Sequence, residues 1–142
     1  MSDDIKRYRV SEQFGDQQVT LEVNLDQLTV ERATMTNQFL GDSDHRLGEE
    51  NDDVIRAVIR LFGKWMINIM LAQGGATFTE HTKSPMGDLN PGPLWTADLH
   101  NEEGWGGTED GNPFGWCGIR CVAADVNPIG YDDVQVEEVA SA

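Results

Sequence analysis

The chain has 142 residues, of which 39% are hydrophobic, and its 25 aspartates and glutamates outnumber 10 lysines and arginines to give a net charge of −15. That length suits one domain spanning residues 1–142, and the apolar content argues against a wholly disordered chain. The charge argues against direct binding to nucleic acid or to anionic membranes, because both depend on lysine and arginine.

The N-terminus and the cysteine content indicate a cytoplasmic protein. Residues 1–4 lack the basic start and apolar core of a signal peptide, and no apolar run approaches the ~20 residues of a membrane span. The chain has 2 cysteines, too few for a secreted disulfide scaffold, which agrees with a reducing compartment.

The N-terminal segment is predicted to form a β-hairpin. Residues 5–14 alternate loosely between apolar and polar, and the turn residues Gly15 and Asp16 connect them to a strictly alternating second strand. The apolar residues on the buried face of that strand are Val19, Leu21, Val23 and Leu25. Three basic residues are expected on a solvated part of the first strand: Lys6, Arg7 and Arg9.

Two helices are predicted, separated by an acidic connection over residues 42–53. The short helix, residues 30–40, begins after the N-cap residue Thr29 and ends before Gly41. The long helix, residues 54–72, carries a broad apolar stripe that includes Trp65 and is expected to form the centre of the core. Its polar side carries a basic ridge, interpreted as a solvated face: Arg56, Arg60 and Lys64.

The remaining chain is predicted as a long loop followed by two strands. Residues 76–115 are rich in glycine, proline, asparagine, threonine and aspartate without a sustained period, which is typical of a functional or partly disordered loop. Residues 116–126 regain extended character, with Cys117, Ile119, Cys121 and Ala123 on one face, and residues 134–139 are predicted as a final strand. The expected fold is α+β, with a small, mostly antiparallel sheet packed on one long and one short helix.

The cysteines and histidines give little support for a metal or redox site. Cys117 and Cys121 lack the second pair of a zinc ribbon, and residues four apart on a strand lie ~13 Å apart, beyond disulfide reach. Both are interpreted as buried apolar residues. A tertiary metal site that combines His81, His100 and a cysteine remains an alternative.

No catalytic residue and no cofactor site is predicted. The sequence has no G-x-S-x-G nucleophile motif, and its glycine pairs lack the lysine of a phosphate-binding loop. Adjacent carboxylates such as Glu102 and Glu103 in a polar loop normally stay solvated and unshifted. We therefore expect a protein that is not an enzyme.

The candidate functional residues are acids in two segments, together with one loop tryptophan that either pins its loop to the core or forms a binding hot spot. From Asp98 to the C-terminus the chain holds ten acids and only one base, Arg120, a segregation that solubility alone does not require. The candidate partner-binding residues are Asp42, Asp44, Glu49, Glu50, Asp52, Asp53, Glu102, Glu103, Trp105, Glu109 and Asp110.

Four stretches carry a resemblance to a known family: IKRYRVSEQFGDQQVTLEVN, DDVIRAVIRL, EEGWGG and GIRCVAADV. They cover about half of the chain, which resembles a family of small acidic proteins of unknown function encoded by phages and integrated mobile elements of Gram-negative bacteria. The resemblance implies a role in conflict between mobile DNA and its host. It assigns no catalytic residues.

The charge and the resemblance lead to one expected function and two alternatives. We expect an anti-CRISPR protein that mimics nucleic-acid charge and covers the basic surface with which a bacterial complex, such as a type I CRISPR surveillance complex, reads the protospacer-adjacent motif. The alternatives are a phage accessory or structural protein without inhibitory activity, and an enzyme or metal-binding protein with a tertiary histidine and cysteine site.

Overall fold

A computed structural model describes residues 4–83 and 89–140. Within them the chain forms one four-stranded antiparallel sheet with helices packed against it, which confirms the predicted α+β class. The strands occur in the spatial order β1-β2-β4-β3. Their bounds are β1, Ile5–Ser11; β2, Gln18–Asn24; β3, Ala76–Phe78; and β4, Ile119–Val126. The helices are α1, Val30–Phe39; α2, Ser43–Glu49; α3, Val54–Ala72; and α4, Gly92–His100.

The predicted hairpin is confirmed as β1 and β2. Tyr8 pairs with Leu21 and Val10 pairs with Val19, so these side chains share the face on which α3 packs. Val19 and Leu21 are fully buried, whereas β1 is largely exposed, because it is an edge strand with β2 on one side only.

The short and long helices are also confirmed. Thr29 accepts a hydrogen bond from the Arg32 amide at the start of α1, and Asp53 accepts one from the Arg56 amide at the start of α3. Helix α3 has the predicted bounds and carries nine buried residues, among them Phe62 and Met66 at the centre of the core. The basic ridge on its other side is exposed as expected.

Helix α2 was missed, since residues 42–53 were predicted only as a connection. None of its seven residues is buried, so it has no apolar stripe from which a helix could be recognised. The Arg46 side chain donates to the Asn37 side chain at 2.7 Å and to the Asn37 carbonyl at 2.7 Å, which ties α2 to the end of α1. A tertiary contact therefore fixes this helix.

The prediction of an uninterrupted loop over residues 76–115 is wrong at β3 and α4. Strand β3 has three residues, too few to show alternation, and α4 buries small and polar residues such as Thr96 and His100 instead of an apolar stripe. Pro93, near the helix start, was a local signal for α4. Residues 84–88 of this segment lie outside the described residues.

A β-bulge changes the predicted face of β4. Cys117, Ile119 and Cys121 are buried as expected, but the register with β2 shifts between Thr20 and Leu21. After the bulge Ala124 and Val126 point into the core, and Ala123 does not share the cysteines' face. The extra residue reverses the alternation, which a sequence pattern alone does not reveal.

The predicted C-terminal strand is absent, because residues 134–140 have no regular structure and are exposed. Two hydrogen bonds join the end of β4 to the hairpin: Gln17 Nε2 donates to the Asn127 carbonyl at 2.6 Å, and the Asn127 amide donates to Gln17 Oε1 at 2.6 Å. A short 3-10 helix, Tyr131–Asp133, follows. Over residues 4–83 and 89–140, no helix combines the length and apolarity needed to cross a bilayer.

Candidate functional site

The first acidic segment, residues 42–53, surrounds α2 and presents most of its charge to solvent. Asp42 lies just before the helix with a left-handed backbone (φ 54°), and its side chain makes no capping hydrogen bond. The acids of this segment that are exposed are Asp42, Asp44, Glu49, Asp52 and Asp53.

Two acids of this segment are used within the fold. Glu50 is half-buried and forms ion pairs with Arg56 at 3.5 Å and with Arg60 at 3.0 Å. Asp53 caps α3 through the Arg56 amide. Glu50 therefore contributes less outward charge than the sequence suggests, whereas Asp53 remains exposed.

The second acidic segment, residues 102–110, is a loop that contacts the body of the protein through its small and aromatic residues. A Cβ atom at Gly104 would lie 2.8 Å from Phe39 Cδ1 and 2.9 Å from Leu40 Cδ2, so this glycine lets the loop backbone approach the end of α1. This contact places the loop against residues that precede Asp42 by only two or three positions in the sequence. Its acids Glu102, Glu103, Glu109 and Asp110 are all exposed.

Trp105, predicted as a partner-binding residue, lies in the core instead of on the surface. Its side chain is 0% exposed and belongs to the core. It packs edge-to-face on Phe62, with ring centroids 5.3 Å apart, and on Trp65 at 5.9 Å. It pins the loop to the core, whereas the neighbouring acids remain exposed.

Glu109 lies in different surroundings from the acids near α2. Its Oε1 accepts a hydrogen bond from Asn112 Nδ2 at 2.9 Å. It also lines a hollow of about 660 Å³ beside α4 and β4. None of residues 42–53 lines that hollow, so the two predicted segments do not merge there.

The exposed acids extend well beyond the predicted site. All ten acids from Asp98 onward are exposed, and no ion pair between described residues includes any of them. Those not predicted as site residues are Asp98, Asp125, Asp132, Asp133, Glu137 and Glu138. The charge asymmetry of the sequence was the signal that could have found them.

Arg120, the only lysine or arginine after Asp98, is half-buried and paired with Glu22. It donates to Glu22 Oε1 through Nε at 2.9 Å, and its guanidinium lies 4.9 Å from the centroid of the Phe114 ring. Arg7 donates to the other oxygen of the same carboxylate at 2.9 Å. Burial raises the pKa of Glu22, but these hydrogen bonds outweigh it and leave that pKa below its ordinary value.

The described residues do not assemble the alternative metal site. No three histidine, cysteine, aspartate or glutamate side chains in residues 4–83 and 89–140 come together in a way that could hold a metal ion. Cys117 and Cys121 are free and buried, as predicted, and burial raises the pKa of each thiol to about 12. His100 is buried against the Ile119 carbonyl, whereas His81 is exposed.

A family model described as "Protein of unknown function (DUF2528)" matches residues 18–136, from β2 to beyond the 3-10 helix. The chain belongs to this family. No curated protein matches it, and no solved structure does so either. The DUF2528 match includes both acidic segments and leaves β1 outside.

Proposed function

We propose that this protein is a non-enzymatic inhibitor that binds a basic nucleic-acid-binding surface of a bacterial complex. The observation that carries the proposal is the set of ten exposed acids from Asp98 onward, none of them in an ion pair between described residues, whereas Arg120 is committed to Glu22. An unbalanced negative surface attracts lysine- and arginine-rich surfaces on other proteins.

Nucleic-acid channels are the protein surfaces that most reliably carry such a positive potential. Their lysines and arginines release counterions when phosphate binds, and a rigid array of carboxylates competes for the same groups. The pinned loop of residues 102–110 suits this role, because Trp105 and Gly104 anchor it to the core while its acids face solvent.

The sequence resemblance to proteins of phages and mobile elements supports a more specific proposal. In that setting the basic surface belongs to a type I CRISPR surveillance complex in the host cytoplasm, at the place where it reads the protospacer-adjacent motif. The protein then acts as an anti-CRISPR by excluding target DNA. A phage accessory role without inhibition is the competing proposal.

The test is a titration of a type I surveillance complex with labelled target DNA, with and without this protein, at low and high salt. We expect the protein to displace DNA and its binding to weaken as salt rises, because interactions between exposed charges are screened over ~8 Å at physiological salt. Undiminished DNA binding at saturating protein would contradict the DNA-mimic proposal and favour the accessory role.

Two matched triple variants distinguish the effect of the acids in the 102–110 loop from the effect of the net charge. Glu102→Lys with Glu103→Lys and Asp110→Lys reverses the loop, whereas Glu12→Lys with Asp16→Lys and Glu31→Lys reverses three exposed acids elsewhere. Glu109 is left unchanged because it supports the loop through Asn112. We expect the first variant to lower affinity on the order of tenfold or more and the second to lower it less. Equal losses would show that net charge alone is responsible.

A further inference from the structure

The C-terminal segment exposes apolar side chains that have no partner in the described chain. Tyr131 is 92% exposed and Val136 is 97% exposed. Among the described residues, no hydrogen bond joins residues 135–140 to any other part of the protein. Yet Val134-Gln135-Val136-Glu137-Glu138-Val139 has the composition of a strand, so this segment has strand character without a neighbouring strand.

The free edge of β1 offers such a neighbour. A hollow of about 210 Å³ lies between β1 and α3, with Tyr8, Val10 and Ile59 as its apolar residues. A second hollow of about 400 Å³ shares Val10 with the first and continues along α3. No β2 residue lines either hollow, so both open on the unpaired side of β1.

Basic residues flank this edge. Lys6, Arg7 and Arg9 lie on β1 itself, and Arg56 and Arg60 line the first hollow from α3. Arg56 and Arg60 are paired with Glu50, which also lines the hollow, and Arg7 is paired with Glu22 and Glu80. Lys6 and Arg9 form no ion pair between described residues and carry the positive charge of this edge. The C-terminal segment carries acids and no base after Arg120, so the two surfaces are complementary in charge.

An antiparallel alignment of residues 134–139 with residues 5–10 gives an apolar or an opposite-charge pair at five of the six positions. On the face toward α3, Val134 lies opposite Val10, Val136 opposite Tyr8 and Glu138 opposite Lys6. On the other face, the pairs are Gln135 with Arg9, Glu137 with Arg7 and Val139 with Ile5. Apolar pairs and opposite charges directly across a strand pair are the combinations that stabilise a sheet.

We propose that residues 134–139 of one chain add as a fifth strand to the β1 edge of a second copy, and that the exchange is reciprocal in a two-fold dimer. In its own chain this segment lies exposed, whereas a reciprocal exchange covers both free edges at once with identical contacts. This role goes beyond the proposed inhibition and leaves the acids of the 102–110 loop facing outward.

The net charge of −15 opposes dimerisation only weakly at physiological salt. Repulsion between charges more than ~8 Å apart is largely screened there, whereas cross-strand side chains lie about 5 Å apart. The close charge pairs at the edge therefore persist while the long-range repulsion fades.

The first test measures the mass of the full chain in solution by sedimentation and the dissociation constant of the dimer. Glu138→Lys and Lys6→Glu should each weaken the dimer about tenfold, because each alters two symmetric pairs, and the double variant should restore it. A chain that stays monomeric at all concentrations, or a double variant that is no better than the singles, would overturn the proposal.

The second test distinguishes a second copy from the chain's own edge. A mixture of Lys6→Cys and Glu138→Cys proteins, treated with a short thiol crosslinker, should give a linked heterodimer, while Cys117 and Cys121 are buried and remain unreactive. Glu137→Cys in place of Glu138→Cys is the matched control and should link poorly, since its side chain lies on the other face. Absence of the heterodimer, or linkage only within one chain when both cysteines are present, would overturn the proposal.

Discussion

Trp105 shows how one residue holds the candidate surface in place. Its indole fills the space between Phe62 and Trp65, and the glycines on either side let the backbone bend around it. A tryptophan in a glycine-rich acidic loop is equally typical of a core anchor and of a binding hot spot. Sequence could not decide between them, because the answer depends on whether α3 lies beneath the loop.

The two tryptophans of this cluster are expected to differ in their effect on stability. Trp105→Ala should lower the free energy of unfolding by about 3 to 5 kcal/mol, since it leaves a cavity in the core. Trp65→Ala should cost less, because Trp65 is only half-buried. Urea denaturation measures both, and a larger loss for Trp65 would contradict the packing described.

His100 gives the fold a pH dependence of its own. Burial lowers its pKa below the ordinary value of 6.5 and outweighs the opposing effect of the hydrogen bond that Nε2 donates to the Ile119 carbonyl at 2.7 Å. The unfolded chain therefore binds this proton more readily than the folded one. The stabilising contribution is present above pH 6.5 and is lost as pH falls through the folded value.

The prediction for this residue concerns the slope of stability with pH. The free energy of unfolding should fall as the pH drops below 6.5, and His100→Asn should reduce that slope while lowering overall stability. Glu22 affects stability only at a lower pH, because its pKa is lowered from 4.5. An unchanged slope in the variant, measured by urea denaturation at several pH values, would contradict this assignment.

At the scale of elements, α3 organises the protein because it contacts β1, β2, β4 and the other helices. It approaches the sheet closely at Gly63, where an added Cβ would lie 2.4 Å from Val10 Cβ. The absence of a side chain there lets the helix lie directly against the edge strand.

Gly63→Ala should separate α3 from β1 and cost about 1 to 3 kcal/mol, as overpacked cores do. The matched control is Gly48→Ala in α2, where an added Cβ meets no atom within 4 Å. That change should be neutral or should stabilise by about 0.5 to 1 kcal/mol, because alanine favours a helix over glycine. Thermal melts of both variants test the difference, and similar losses would contradict it.

The elements that sequence predicted are those with a strong periodic pattern. The hairpin and α3 could be read directly, because their apolar residues repeat with the period of a strand or a helix. Helices α2 and α4 could not, since hydrogen bonds from Arg46 and to Thr96 fix them more than any apolar stripe. The C-terminal strand was predicted from a valid pattern, yet residues 134–139 pair with no strand among the described residues.

The same distinction applies to the candidate site. The composition predicts that many acids are exposed, but it does not predict which of them lack an arginine partner. Glu50 and Glu22 meet their arginines only after the chain folds. The charge asymmetry was visible in the sequence. The separation of Glu109 from the acids around α2 required the structure.

At the scale of the whole molecule, a net charge of −15 repels itself in the compact state. Sodium chloride should therefore raise the melting temperature, by about 4 °C for each kcal/mol of repulsion that is screened. Differential scanning calorimetry at increasing salt measures this. A melting temperature that falls with salt would show that ion pairs such as Arg120 with Glu22 outweigh the repulsion.

The paired hydrogen bonds between Gln17 and Asn127 also define where the chain can be cut. Backbone up to this point is fixed to the hairpin, whereas the peptide bonds beyond Pro128 lie exposed. A protease should therefore trim the C-terminus and halt a few residues past Asn127, leaving a resistant fragment that retains the whole sheet. If the C-terminal segment resists cleavage at high protein concentration, that protection would indicate its contact with the β1 edge of a second copy. This measurement needs no label and no substitution.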